Sequence, residues 1–282
     1  MPEGHTLRRL SDDLTSAFGG RVVAVSSPQG RFAAEAELLD GTQFLGADST
    51  GKHLFLDFDD ERVVHIHLGL YGKFLIHEGE AAPAVGQVRL RLVATGEDGR
   101  APAYADLRGA TQCALVDADH RAGVLGRLGP DPLRAGADPA PAWERVSRSQ
   151  RPIGELLMDQ VVMSGIGNVY RAEILFRHRL HPLRPGRTLR RGQFLAMWQD
   201  LVELMPAGVA ANRIDTVRPE HLPHRTGTRG RGGDVYLYRR QGLPCLVCGT
   251  AIRTEVLAGR NSFWCPKCQP AFRSRARSAA AS

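Results

Sequence analysis

Lysine is nearly missing from this chain. Of its 282 residues, 37 are lysine or arginine, yet lysine stands only at Lys52, Lys73 and Lys267. Where arginine is the default cation, a retained lysine points to a task that a guanidinium cannot do, such as giving up a proton. Cysteine is scarce as well. There are five, and four of them fall in two close pairs, which disfavours the disulfide framework of a small secreted domain. The fifth, Cys113, lies in an apolar stretch and is read as a buried core residue. No apolar run approaches the ~20 residues of a membrane-spanning helix, so no membrane partner is expected. No charged-then-apolar leader opens the sequence, and the expected location is cytosolic. Acidic residues thin out toward the end. Residues 1–120 carry 11 basic and 18 acidic side chains, residues 121–282 carry 26 and 12, and the chain's formal net charge is +7. A polyanion would be drawn mainly to the second part.

The chain is long enough for two domains with cores of their own. Leu7, Leu10, Leu14 and Phe18 recur at helical spacing before Gly19-Gly20, which predicts a helix over 4–18 that anchors the chain end. From Arg21 to about Asp117 the period is two, with strands expected at 22–25, 54–58, 63–67, 88–93 and 113–116 and exposed loops at 77–87 and 95–103. Many short strands imply a β-sandwich or partly open barrel. Residues 127–133 and the Pro/Ala-rich run 134–143 read as a hinge. Beyond it helices are expected over 153–163, 168–178 and 192–207. Residues 223–233, rich in Gly, Arg and Thr, read as mobile. The domains expected are 1–120, 121–222 and 235–271, with a disordered tail over 272–282.

Three stretches carry chemistry. The first is Met1-Pro2-Glu3-Gly4-His5. Removal of Met1 would leave Pro2 as a secondary amine with a pKa near ~8, partly uncharged and nucleophilic at neutral pH. Condensed with an aldehyde it gives an iminium that cannot lose its charge and is therefore a strong electron sink. Glu3 next door is placed to move protons at the same carbon. The second is the pair of knuckles Cys245-Leu246-Val247-Cys248 and Cys265-Pro266-Lys267-Cys268, with 16 residues between Cys248 and Cys265. Four thiolates at this spacing suit a closed tetrahedral zinc site on a β-hairpin, a redox pair being the alternative. The third is Leu156-Leu157-Met158-Asp159-Gln160 followed by Gly165-Ile166-Gly167-Asn168-Val169-Tyr170-Arg171-Ala172-Glu173. Its glycines permit close approach to a phosphate, and Asn168 is expected to cap the second helix of a tight corner.

Together these motifs resemble the formamidopyrimidine-DNA glycosylase/endonuclease VIII family, in order and over almost the whole chain. The Pro2-Glu3-Gly4-His5-Thr6 start is most similar to the endonuclease VIII-like branch found in actinobacteria. The resemblance implies an α+β chain: an N-terminal β-sandwich with its anchoring helix, a helix–two-turn–helix domain and a four-cysteine zinc hairpin. It implies a bifunctional DNA glycosylase and AP lyase of base-excision repair. Pro2 would be the nucleophile and Glu3 the proton shuttle, with strand scission by β,δ-elimination. Thr6 stands where many members carry a second glutamate. Lys52, in Gly51-Lys52-His53-Leu54, would supply a cation near the sugar and flanking phosphate, while His53 is read as structural. Leu70 and Tyr71, in His67-Leu68-Gly69-Leu70-Tyr71-Gly72, would fill the gap left by a flipped nucleotide. Gly69 departs from the polar residue of the relatives. Arg108 would face the opposite strand, Asn168 would donate to a phosphate, and Arg260, beside the hairpin tip at Gly259, would grip phosphates flanking the lesion.

One structural zinc ion, damaged DNA in duplex or single-stranded form bound in a cleft between the two halves, a monomeric state and a place in the bacterial cytosol or nucleoid complete the expectation. Oxidised pyrimidines and hydantoins are the expected substrates. A formamidopyrimidine/8-oxoguanine specialist is the alternative within the family, and a non-enzymatic zinc-ribbon DNA-binding protein is the alternative outside it.

Overall fold

The computed structural model describes residues 2–96, 99–222 and 233–272. The chain forms two compact units, residues 1–127 and 128–282.

The first unit opens with α1 (Gly4–Phe18), which turns Leu7, Leu10, Leu14 and Phe18 inward and ends at Gly19-Gly20, where Gly20 adopts φ 77°. There follow β1 (Arg21–Ser26), α2 (Ala33–Leu39), β2 (Thr42–Thr50), β3 (His53–Phe58), β4 (Val63–His67), β5 (Lys73–Glu78), β6 (Val88–Ala94), β7 (Ala103–Arg108), β8 (Gln112–Val116) and α3 (Ala118–Arg127). The strands are hydrogen-bonded in the order β5-β7-β6-β1-β2-β3-β4-β8. β1 is the fold line. Its first half, Arg21 to Val23, pairs with β2, and its second half, Ala24 to Ser26, pairs with β6. The two resulting layers enclose one core in which Phe44, Leu56 and Ile66 of one layer join Leu90, Leu92 and Leu107 of the other and Leu14 and Phe18 of α1.

Three strands of this unit escape a period-two reading. β2 buries only Phe44 and Ser49 along its length. β5 buries only Phe74, and β7 places a carboxylate, Asp106, inside. The expected loops 77–87 and 95–103 therefore lose 77–78 to β5 and 103 to β7. Cys113 is partly buried rather than sealed in the core; burial pushes its thiol up to about 12, which disfavours the nucleophilic thiolate at neutral pH. The boundary expected after residue 120 lies after Arg127, because Val124 of α3 packs on Phe55 and Val63 of the sheet's second face.

The second unit contains α4 (Ala140–Arg148), α5 (Ile153–Leu156), α6 (Asn168–Arg177), α7 (Arg191–Ala211), and a hairpin of β9 (Arg253–Leu257) and β10 (Arg260–Trp264). Part of the expected hinge is thus helix: Ala142 and Val146 of α4 are fully buried. The helix expected over 153–163 stops at Leu156. The apolar residues beyond it, among them Val162 and Met163, are buried by two turns instead, so their spacing reports burial and not helical period. Residues 223–232 and 273–282, where mobility was expected, lie outside the described residues.

Candidate functional site

In the first unit the chain start is held firmly. Glu3 is the N-cap of α1 and is wholly buried, with Pro2 half-buried before it. The Glu3 backbone N–H donates to Thr6 Oγ1 at 3.4 Å. Thr6 therefore works as a capping residue, which gives the position a structural task in place of a second carboxylate. His5 is buried, and burial together with the positive chain terminus lowers its pKa to about 4.

α1 runs antiparallel to β2. Thr15 accepts from the Ala47 backbone N–H at 2.9 Å, and Ser11 Oγ donates to Ser49 Oγ at 3.4 Å. Four helical residues advance about 6 Å and two strand residues about 6.6 Å. The next steps along this register bring the start of α1 toward Gly51 and Lys52. Those two residues form the β2–β3 turn, closed by the Thr50–His53 pair. Gly51 takes φ 61°, as the first central residue of a tight hairpin turn requires.

Lys52 and the Leu70 loop share one end of the sandwich. The His53 and His67 rings lie 5.3 Å apart, and His67 Nδ1 accepts the Gly69 N–H at 3.2 Å. Leu70 and Tyr71 then stand out, 46% and 84% exposed. The flanking positions have room only for glycine. A Cβ on Gly72 would lie 2.2 Å from Leu68 O, and one on Gly69, at φ +67°, would lie 2.4 Å from Thr111 Cγ2. Arg108 belongs to the adjoining β7–β8 corner, where a Cβ on Gly109 would touch Tyr71 O at 3.4 Å. Its guanidinium is not simply free to reach outward. Nη2 donates to buried Asp106 at 2.9 Å, and Arg91 grips the other side of the same carboxylate at 2.7 and 3.1 Å.

In the second unit, Gln160 shapes the two-turn link. Its Oε1 accepts the Gly165 N–H at 2.9 Å and its Nε2 donates to Ile166 O at 3.1 Å. Asn168 is not the cap of α6; Gly167 holds that position. The Asn168 amide turns instead to the hairpin, donating to Asn261 O at 3.0 Å and accepting from Arg171 Nη2. Arg171, fully buried, also donates to Asn261 O at 2.9 Å. Arg260 lies one residue before this anchor, beyond a turn in which Ala258 and Gly259 both have positive φ, the arrangement of a two-residue hairpin loop.

The four cysteine sulfurs all lie within 4.8 Å of one another, with Cys245–Cys268 at 3.9 Å and Cys248–Cys265 at 3.4 Å. A tetrahedron with Zn–S bonds of ~2.3 Å has edges of roughly 3.8 Å, so the donor set fits a four-sulfur metal site.

Two buried side chains to which the motifs assigned no role tie the segments flanking this hairpin to α6 and the turn after it. Glu173 accepts from the backbone N–H groups of Tyr236, Leu237 and Tyr238 at 2.6, 2.9 and 3.0 Å and from Thr216 Oγ1 at 2.6 Å. Gln269 donates to Leu180 O at 2.7 Å and accepts the Cys265 N–H at 3.0 Å. Both side chains were visible in the sequence, but only the fold supplies their partners. Burial raises the Glu173 pKa against the pull of those donors. Glu173→Ala should cost about 3 kcal/mol, because it leaves several buried donors unmet. Chemical denaturation of the metal-loaded protein measures this, and a change below about 1 kcal/mol would deny Glu173 that role.

Comparison with known proteins agrees with this anatomy. Residues 1–113 match the formamidopyrimidine-DNA glycosylase N-terminal domain, residues 128–218 its H2TH domain, and residues 242–271 a zinc finger found in FPG and IleRS. The class so defined is a DNA glycosylase with AP lyase activity, acting in DNA repair. Endonuclease 8 1 of Mycobacterium tuberculosis is 51% identical over 276 residues, covering 95% of this chain and 100% of that one. The formamidopyrimidine-DNA glycosylase of a Synechococcus is 33% identical over 96% of this chain and 98% of its own. The chain belongs to the formamidopyrimidine-DNA glycosylase/endonuclease VIII family. The Lactococcus lactis Fpg solved with abasic-site DNA shares the fold, with a TM-score of 0.78 at 19% identity over 95% of this chain and 100% of that one. No helix among the described residues is long and apolar enough to cross a membrane.

Proposed function

We propose that this protein excises oxidised pyrimidines and hydantoins from DNA and then cuts the strand, working as a monomer with one structural zinc. The reading of the chemistry is supported by the setting of the chain start. Glu3 is wholly buried at the head of α1 directly after Pro2, at the sandwich end toward which β2 carries Lys52. A terminal nucleophile must be held still, and the buried N-cap beside Pro2 supports that role.

After loss of Met1, the Pro2 nitrogen attacks C1′ of the damaged nucleotide and the base departs with the bonding pair. Glu3 protonates the opening sugar ring oxygen. The resulting iminium draws electrons from the C1′–C2′ region, so a C2′ proton can be removed and the 3′ phosphate leaves by β-elimination; the second elimination releases the 5′ phosphate. Lys52 supplies positive charge near the sugar and a flanking phosphate. Leu70 and Tyr71, exposed on a loop whose glycines fix its course, fill the gap in the stack when the nucleotide turns out. Arg108, steadied by Asp106, faces the opposite strand. Asn168 and Arg260 grip phosphates from a hairpin and helix already bonded to each other. Zinc held by Cys245, Cys248, Cys265 and Cys268 would fix that hairpin, with no open coordination position for chemistry.

The substrate class is supported by similarity, 51% to Endonuclease 8 1 against 33% to a formamidopyrimidine-DNA glycosylase over comparable lengths. Thymine glycol, dihydrouracil and hydantoins should be excised faster than 8-oxoguanine opposite cytosine in single-turnover assays on matched duplexes. Efficient 8-oxoguanine removal with negligible thymine glycol activity would move the chain to the other branch.

A further inference from the structure

Four histidines form a row through the first unit, and the reaction proposed above uses none of them. His53 follows Lys52 at the start of β3, and its Nδ1 lies 2.9 Å from His65 Nε2 on β4. His65 Nδ1 lies 2.9 Å from the side-chain amide nitrogen of Gln112 on β8 and 3.3 Å from His120 Nε2 on α3. His67 packs edge-on against His53 and holds Gly69 at the start of the Leu70 loop. His65 is the junction. It is 2% exposed and stacked on Phe55, ring centroids 4.7 Å apart at 17°.

The hydrogen-bond chemistry fixes a direction. An amide nitrogen only donates, so His65 Nδ1 must accept from Gln112 and its proton must sit on Nε2, from which it donates to His53 Nδ1. His53 then carries its own proton on Nε2. The row is self-consistent only when its inner rings are neutral, because a proton on His65 Nδ1 would face the Gln112 donor.

The surroundings favour neutrality. Burial acts most strongly on both rings, and the cations Arg127 and Lys52 add to it at His53. The nearby carboxylates Asp57 and Asp48 are engaged by Arg121, at 2.6 and 3.7 Å, whose guanidinium lies over the Phe55 ring at 5.0 Å.

We propose that His53, His65 and His120 form a positioning chain for Lys52: a row, neutral at His53 and His65, that holds the Gly51-Lys52 turn against β4, β8 and α3 and couples it to the loop bearing Leu70 and Tyr71. The inference rests on the reading of Lys52 as an active-site cation. Burial above all, with Arg127 and Lys52 adding to it at His53, holds His53 and His65 at about 4, well below the ordinary histidine value of 6.5. An unfolded chain therefore binds more protons than the folded one between those values, and the row loses stability as pH falls through that window. Above it the row is intact.

Three measurements on the full, metal-loaded protein test this. Long-range ¹H–¹⁵N spectra of the imidazoles should show His53 and His65 neutral, protonated on Nε2, and titrating near 4. Both rings titrating near 6.5 would overturn the proposal. Single-turnover cleavage of abasic duplex should slow about tenfold in His65→Phe, which keeps the stack and removes both nitrogens, with DNA affinity unchanged. Gln112→Glu, which gives His65 Nδ1 an acceptor to protonate against, should move the acid limb of the pH–rate profile upward. Wild-type rates and profiles in both variants would also overturn it. Lys52→Ala in the same assay separates the two levels: full activity there removes the reading of Lys52, whereas its loss beside an unaffected His65→Phe contradicts the positioning chain alone.

Discussion

Glu3→Gln is expected to abolish base excision while leaving strand cleavage at a ready-made abasic site measurable. Excision needs a proton delivered to the opening sugar, and proton transfer by a placed carboxylate contributes on the order of 10²–10⁴-fold. An abasic site has already lost its base, so the later eliminations depend less on that delivery. Because Glu3 is buried at the N-cap of α1 and Thr6 completes the cap, the amide should keep the helix in place, and a shared loss of folding is not expected. Pro2→Gly should depress cleavage sharply. Its primary amine can still condense, but the imine it forms can lose a proton and with it the electron sink. Single-turnover rates on damaged and abasic duplexes separate the two variants. Equal losses on both substrates in Glu3→Gln would deny the carboxylate its part in base departure.

Removal of the metal should have the second large effect. One zinc per chain is expected by direct assay, released by chelation or a thiol reagent with loss of DNA binding, since structural zinc contributes roughly 10–16 kcal/mol to small metal domains. The reach of the effect follows from geometry. Asn261 O takes hydrogen bonds from both Asn168 and Arg171, so a loosened hairpin frees the α6 amide along with Arg260. Cys265→Ser should reproduce the metal-free state, because Cys265 is fully buried and its N–H is bonded to Gln269. Arg260→Ala should keep the zinc yet weaken DNA binding by roughly 10- to 100-fold, the worth of a charge-assisted contact. An Arg260→Ala protein that binds and cuts like the parent would remove the hairpin tip from the site.

The parts of this architecture legible in the sequence are those with short-range physics. α1 announces itself through Leu7, Leu10, Leu14 and Phe18 and its glycine stop, and the cysteine spacing brings four sulfurs together in the fold. Strands such as β2 and β7 are set by their neighbours' backbones, and their own residues do not alternate. The 153–163 segment has helical spacing yet spends it on two turns pinned by Gln160, a partner choice no local window contains. Asn168 illustrates the same limit: placed before Val169 and Tyr170 it looks like a cap, and only the approach of Asn261, 93 residues away, turns its amide elsewhere. Lys52 was marked by the rarity of lysine, but the histidine row beside it has no signature in sequence, since His53, His65 and His120 come from three elements.

The identity of the nucleophile bears most directly on the whole account. Borohydride added during reaction with abasic duplex should reduce the iminium and weld protein to DNA, and peptide mapping of the adduct should place the new bond on the nitrogen of residue 2. A bond mapped to Lys52 or any other lysine would contradict the mechanism, whatever the variants showed.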